Sequence, residues 1–361
     1  MRYDADVIVV GAGLAGACAA FTLSRNHKVH VLESDEPASG ASGAAAGLVN
    51  PFMGRRARPT WRLREALAAV PTLLERAGAA ELFPDTGVLR PAVEPDQVAP
   101  FQETAENHPE LATWLPPAAV QARYPTVRPD RGALFIPRGG AVNVKAMVRA
   151  LLDAAAARGA TIETRAPVLY WRETPTAAVV EVDRGDDTDE LRADRVLLTL
   201  GQGFPPFPEL RRLGLDGVKG QTVRVRRPAG CPKNLPPLSG RGYVVPDGKT
   251  LVLGSNYEND YDDLTPDPAA TEYIQEKASR MIKGLDQAEV LDEMAGVRVK
   301  HAETNLPLLG PLPRRDRIWT FTALGSKGLL TAPLLALDLP TYLADPAQIP
   351  EAVRISGTEP S

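Results

Sequence analysis

A chain of 361 residues exceeds what one hydrophobic core ordinarily serves, so two structural domains are expected. Hydrophobic residues at 44%, charged residues at 24% and a net charge of -4 describe a globular chain with no global attraction to phosphate backbones. Two cysteines, Cys18 and Cys231, cannot build a disulfide framework and point to a reducing compartment. The apolar stretch over residues 7–23 is broken by three glycines and follows Asp4 and Asp6, where a signal peptide carries positive charge. No other stretch has the ~20 uninterrupted apolar residues of a membrane span, so a cytoplasmic protein without a membrane partner is expected.

Residues 7–10, Val-Ile-Val-Val, form a short continuous apolar run, as expected for a parallel strand buried on both faces. They lead directly into Gly11-Ala12-Gly13-Leu14-Ala15-Gly16, then into a helix rich in small residues over 17–25. A second buried strand over 29–32 ends at Glu33, about twenty residues after Gly11. Strand, glycine turn, helix, strand and acid in register make a dinucleotide-binding unit. Gly11 permits the tight turn, Gly13 lets backbone approach a pyrophosphate, and Gly16 lets helix and strand pack closely. The helix start, with Leu14 and Ala15, offers free N–H groups and the positive dipole end to phosphates. Glu33, with Ser34 beside it, can accept hydrogen bonds from ribose hydroxyls.

The segment that follows decides between dinucleotides. Further strands and helices would indicate a nicotinamide cofactor; residues 38–51 instead read ASGASGAAAGLVNP. Small side chains there let backbone pass close to a large flat ligand, and Ser42 supplies a hydroxyl for a phosphate. Proline-rich sequence over 51–140 contains helical stretches at 62–76 and 101–108. A strand at 133–137 and an alanine-rich helix over 144–158, capped by Asn143, come next. Strands are expected at 168–171, 177–182 and 195–200. Short alternating runs at 222–225, 243–245 and 251–253 read as antiparallel strands with one buried face, followed by an amphipathic helix over 272–283. A last strand at 319–323 meets a second glycine turn, Gly325-Ser326-Lys327-Gly328, and a helix over 329–342 that starts with Leu329 and Leu330.

This interleaving resembles the superfamily of D-amino acid oxidase, glycine oxidase and sarcosine oxidase along almost the whole chain. The phrase from Leu324 to Pro333, LGSKGLLTAP, looks most like the FAD domain of the bifunctional enzyme that modifies carboxymethylaminomethyl-uridine in tRNA. Residues 46–56, AGLVNPFMGRR, also resemble stand-alone bacterial members. The resemblance implies an α/β fold: a Rossmann-like, glutathione-reductase-type FAD-binding domain with an interleaved α+β substrate domain on an antiparallel sheet. The first is assigned to 1–50, 140–203 and 292–361, the second to 51–139 and 204–291. FAD is expected to be bound non-covalently, because Cys18 and Cys231 fall outside positions of flavin attachment; yellow colour staying with an acid-precipitated pellet would refute this. Ser42 is assigned to phosphate, Ala46, Gly47 and Leu48 to the isoalloxazine, Ala45 to the cofactor, Val168 to the adenine, and Gly201 to a strand end near the cofactor. Lys327 holds the flavin's pyrimidine end or a reduced flavin's negative charge, or is solvated.

Members of the superfamily oxidise amines that carry a carboxylate, and no metal is expected. The matching positions here are Arg298, in Gly-Val-Arg-Val, and Tyr243, in Gly-Tyr-Val-Val-Pro. Arg298 would bind the carboxylate through its planar fork and Tyr243 would hydrogen-bond it. Read without the resemblance, Arg298 is a surface strand arginine and Tyr243 a core tyrosine. The gap from Arg298 to Pro307 is one residue longer than the family pattern, and Asn305 stands where aspartate is common. Arg55, Arg56, Arg58, Arg62 and Arg64 form a basic run that reads as a solvated face or as an entry funnel for an anion, tRNA included. Three functions follow: oxidation of a small amino acid or N-substituted glycine, removal of carboxymethyl from a tRNA wobble uridine, and a flavoprotein that binds without turnover.

Overall fold

In the computed structural model, which describes residues 3–128 and 131–356, the strands sort mainly into two large sheets of eight strands each. The first is built around Ala5–Val10, which pairs in parallel with Val29–Leu32 on one side and Thr188–Leu198 on the other. Thr161–Glu163 extends it in parallel, and Ile318–Thr322 pairs with the end of Thr188–Leu198. Ile8, Val9, Val31 and Leu197 are fully buried, which explains the unbroken apolar runs. Thr188–Leu198 begins farther upstream than residue 195 because its first half is polar and only partly buried. That half pairs antiparallel with Ala178–Asp183, which in turn pairs with Val168–Glu173.

The helix Leu14–Leu23 buries every residue except Thr22, and it packs against the helices Val144–Ala156 and Gly328–Leu337. It starts at Leu14, three residues earlier than the apolar pattern indicated, so the glycine turn passes straight into helix. Asn143 caps Val144–Ala156 by accepting a hydrogen bond from the Ala146 amide at 3.0 Å. The single helix expected over 329–342 is two, Gly328–Leu337 and Leu339–Ala344, joined at Asp338. Pro340 has no N–H to continue the first ladder and suits the opening turn of the second.

The second sheet runs in the order Val290–His301, Leu215–Arg226, Thr250–Gly254, Gly242–Asp247, Leu238–Gly240, Val88–Pro91, Ala133–Ile136, Thr113–Leu115. Its neighbours are antiparallel except where Leu238 pairs in parallel with Leu89, the register that joins the two inserted blocks into one sheet. Leu215–Arg226 and Val290–His301 are each 12 residues long, far beyond the run at 222–225. Asp216, Gly217, Lys219, Gly220 and Gln221 interrupt the alternation, and cross-strand pairing carries the strand through them. Pairing of His301 with Leu215 keeps the chain in this sheet past residue 292, where return to the first domain was expected. We propose a division that follows the sheets: the described parts of 1–50, 140–203 and 302–356 form one domain, those of 51–139 and 204–301 the other. Residues 1–2, 129–130 and 357–361 of the expected segments lie outside the described residues.

Candidate functional site

Residues from both sheets line one cavity of about 1060 Å³. At one part of it, Gly11 takes φ +105°, and a Cβ there would stand 2.6 Å from the Thr199 carbonyl oxygen. The Thr199 hydroxyl donates to the carbonyls of Val10 and Gly11, at 2.9 and 2.8 Å. Gly13 precedes the helix Leu14–Leu23 and gives it no side-chain cap, so the first amides look elsewhere for partners. The Leu14 amide finds the Ser42 hydroxyl at 3.0 Å, which puts Ser42 at the helix start where a phosphate oxygen would lie. Glu33 is buried at the end of Val29–Leu32, accepting from the Ala12 amide at 2.6 Å and from the Asp35 amide and Ser34 hydroxyl at 3.1 Å. Its carboxylate is thereby fixed to the glycine turn.

From Ser42 the wall continues through Ala45, Ala46, Gly47 and Leu48, with Val168 and Gly201 also lining the cavity. Gly47 takes φ +75°, and a Cβ there would come 1.7 Å from the Val142 carbonyl oxygen, so no other residue fits this close approach. Gly325, Ser326, Lys327, Gly328, Leu329 and Leu330 complete the lining, as do Gly11, Gly13, Leu14, Ala15, Glu33 and Ser34. Of the expected cofactor residues only Gly16 is absent from the wall. Its place is in the packing, where a Cβ would stand 1.9 Å from the Gly11 carbonyl oxygen. A buried acid after the second strand, a helix start beside a hydroxyl, and a run of small residues along one cavity fit a flavin dinucleotide. Cys18, buried in its helix, and Cys231 are both outside the lining.

Arg298 and Tyr243, distant in sequence, reach the same cavity. Arg298 stands on Val290–His301 opposite Val218, with its guanidinium lying across Gly220, where a Cβ would come 2.2 Å from Nη2. Nη1 donates to the Ser255 hydroxyl at 3.3 Å, Nη2 to the Asn256 carbonyl at 3.0 Å, and the Tyr257 ring centre lies 4.3 Å away. No carboxylate among the described residues lies within 4.0 Å of it. Tyr243, on Gly242–Asp247, crosses Gly254 in the same way, where a Cβ would stand 2.2 Å from its oxygen. Burial of the phenol pushes its pKa up to about 12, against a smaller opposing pull from Arg298 and Ser255. It therefore stays protonated and able to donate at neutral pH. Tyr243→Phe is expected to raise KM for a carboxylate substrate by roughly five- to thirtyfold, equivalent to ~1–2 kcal/mol. The pH profile below about pH 10 should keep its shape, because the phenol does not titrate there.

Several lining residues carry no signal in the sequence pattern. Ser255 and Tyr257 follow a strand end, and Lys277 sits on Pro268–Ser279, read only as an amphipathic helix. Arg90, in the apolar strand Val88–Pro91, is 2% exposed and donates to the Phe52 and Gly54 carbonyls at 2.5 and 2.6 Å. Burial pulls its pKa down to about 10, and it fastens the segment carrying Met53 and Gly54 to the cavity wall. The basic run is largely neutralised locally: Arg55 pairs with Asp96 at 2.7 Å, Arg62 with Glu65 at 3.3 Å, and Arg64 with Glu110. Among the described residues no cluster of three or more His, Cys, Asp or Glu could hold a metal, and no helix is long and apolar enough to cross a membrane.

A family model described as FAD dependent oxidoreductase matches residues 6–339. The chain belongs to the DAO family of FAD-dependent oxidoreductases. This enzyme is 27% identical over 355 residues to glycine oxidase of Geobacillus kaustophilus, covering 93% of the chain and 92% of the relative. The crystal structure of glycine oxidase from that organism shares the fold, with a TM-score of 0.83, 24% identity and coverage of 96% and 95%. It is also 27% identical over 356 residues to the uncharacterized oxidoreductase YurR of Bacillus subtilis, covering 92% of the chain and 93% of that protein. Likeness to the tRNA 5-methylaminomethyl-2-thiouridine biosynthesis bifunctional protein MnmC of Idiomarina loihiensis, 27% over 341 residues, covers 92% of the chain but 54% of that relative. FAD is thus the cofactor. Bound in this cavity, it would supply an electron-pair acceptor at its N5 atom.

Proposed function

We propose that the enzyme oxidises the C–N bond of a small amino acid or N-substituted glycine. The observation that carries this reading is Arg298: a half-buried guanidinium without a carboxylate partner among the described residues, in the cavity that the expected cofactor residues line. The substrate carboxylate would take the guanidinium fork and the Tyr243 hydroxyl, which fixes the carbon next to nitrogen. Cofactor contacts are assigned to Gly11, Gly13, Leu14, Ala15, Glu33, Ser34 and Ser42 at the dinucleotide, to residues 45–48 and 325–330 at the flavin, and to Val168 and Gly201. Gly16 acts through packing. Glu33 is the single carboxylate among the described lining residues, and it is already tied to the glycine turn. With no histidine among the described lining residues either, the enzyme acts on the amine in its unprotonated form on this reading, so oxidation should accelerate as the substrate ammonium loses its proton. The flavin is held non-covalently on this reading. With both cysteines free, we place the enzyme in the cytoplasm.

The test is anaerobic bleaching of the bound flavin by glycine, sarcosine, D-amino acids, proline and carboxymethylaminomethyl-modified tRNA. Bleaching by a small amino acid is the expected result. Bleaching by the tRNA alone would instead establish wobble-uridine modification, which the likeness to the bifunctional protein supports because that side chain is itself an N-substituted glycine. Two features oppose it. Three of the five arginines of the basic run, Arg55, Arg62 and Arg64, are paired with local acids, and the loop after Tyr257 carries Asp260, Asp262 and Asp263, which would repel a phosphate backbone. A flavin that no amine in the panel reduces would return the binding-only reading.

A further inference from the structure

The cavity wall is strongly asymmetric in charge. Among the described residues Glu33 is its one carboxylate, whereas Arg90, Lys277, Arg298 and Lys327 all contribute cations. Arg90 is spent on backbone carbonyls and Lys327 belongs to the flavin-side turn. Two cations remain at the substrate end, and both are tied to the same residue. The Arg298 Nη1 donates to the Ser255 hydroxyl at 3.3 Å, and the Lys277 ammonium donates to the Ser255 carbonyl at 3.1 Å. Sharing one residue keeps the two charges at most about 10 Å apart, a gap of the size a short diacid spans.

Lys277 has no acid of its own. It is half-buried, its ammonium lies 4.6 Å from the Tyr273 ring centre, and no carboxylate among the described residues comes within 4.0 Å. Three acids on its helix or bonded to its neighbours are engaged elsewhere. Glu276 pairs with Arg280, Glu258 pairs with Lys219 and accepts from Asn256, and Glu293 accepts from Thr271. An ammonium carries three donors, and Ser255 occupies one. A half-buried cation with spare donors in a ligand cavity is a ready anchor for an anion.

We propose that Lys277 is a second anion anchor, so that the preferred substrate is an amine bearing two carboxylates, one for Arg298 and one for Lys277. This rests on the amine-oxidation reading and on the place of Arg298 in it. The charge balance favours a diacid in its reactive form. With the amine neutral, two carboxylates match two cations, whereas a monoacid leaves Lys277 unmatched and its spare donors to water.

The deciding experiment compares sarcosine with N-(carboxymethyl)glycine, which differ by the second carboxylate alone, in the holoenzyme and in Lys277→Met and Lys277→Arg. The ratio of kcat/KM for diacid over monoacid should exceed unity in the native enzyme. It should fall roughly ten- to hundredfold in Lys277→Met, the value of a charge-assisted hydrogen bond, and recover in part in Lys277→Arg. Perturbation of the flavin absorbance by acetate, malonate and succinate gives a readout that needs no turnover, and Lys277→Met should weaken the two diacids relative to acetate. An equal loss on both substrates, or an unchanged ratio, would overturn the proposal. If neither amine bleaches the flavin while the diacids still perturb it through Lys277, the anchor stands and the amine-oxidation reading falls.

Discussion

Arg298→Ala is expected to raise the KM for an amino acid substrate by roughly ten- to hundredfold, with a smaller loss in kcat. The side chain is held in place by the Ser255 hydroxyl, the Asn256 carbonyl and the Tyr257 ring, and it makes no ion pair among the described residues. Its charge is therefore available to a ligand, and truncation would leave the ligand's carboxylate in a partly desolvated cavity without its partner. Arg298→Lys keeps the charge but loses the planar fork, so it should fall between the native enzyme and the alanine variant. Gly220→Ala offers the same test without touching the arginine: its methyl would meet Nη2 at 2.2 Å and push the guanidinium aside. Steady-state kinetics at matched FAD content decides the matter. An unchanged KM in Arg298→Ala would remove the carboxylate anchor and the substrate class built on it.

How much of this was legible in the sequence follows from how local each feature is. The glycine turn, its helix and Glu33 lie within one short stretch, and each part has a distinct residue signature, so motif and structure coincide. Asn143 was legible as a cap for the same reason. Arg298 and Tyr243 were reached through family resemblance, since a strand arginine and a strand tyrosine announce nothing by pattern. Ser255 is joined to Arg298 across 43 residues by the pairing of long strands, and Lys277 reaches Ser255 from another element. No local periodicity encodes such a meeting. The strands themselves were understated for a related reason. Lys219, Gly220 and Gln221 break the alternation because they serve the site and its surroundings: Gly220 underlies the arginine, and Gln221 bonds Asn256 and Thr271. Sequence patterns that depend on regular burial fail where a strand carries function.

Gly16→Ala isolates that point at the cofactor end, and it should bind FAD poorly and melt at lower temperature. Helix propensity alone argues the other way, since alanine is better than glycine in a helix interior by about 1 kcal/mol. Here the methyl would stand 1.9 Å from the Gly11 carbonyl oxygen and 2.8 Å from the Thr199 hydroxyl. Neither can yield cheaply. Gly11 is fixed at φ +105°, and Thr199 bonds the Val10 and Gly11 carbonyls at once. Relief must come from moving the helix Leu14–Leu23, whose residues are buried on nearly every side, and overpacking of that kind costs about 1–3 kcal/mol. The clash therefore outweighs the propensity gain. Displacing the helix also shifts the Leu14 amide from Ser42 and tilts the positive helix end away from the pyrophosphate position. FAD per chain and the melting temperature of the apoprotein separate the two effects. A variant that keeps full FAD and the native melting temperature would show that helix and turn can part without harm, contrary to the close approach on which the dinucleotide site is built.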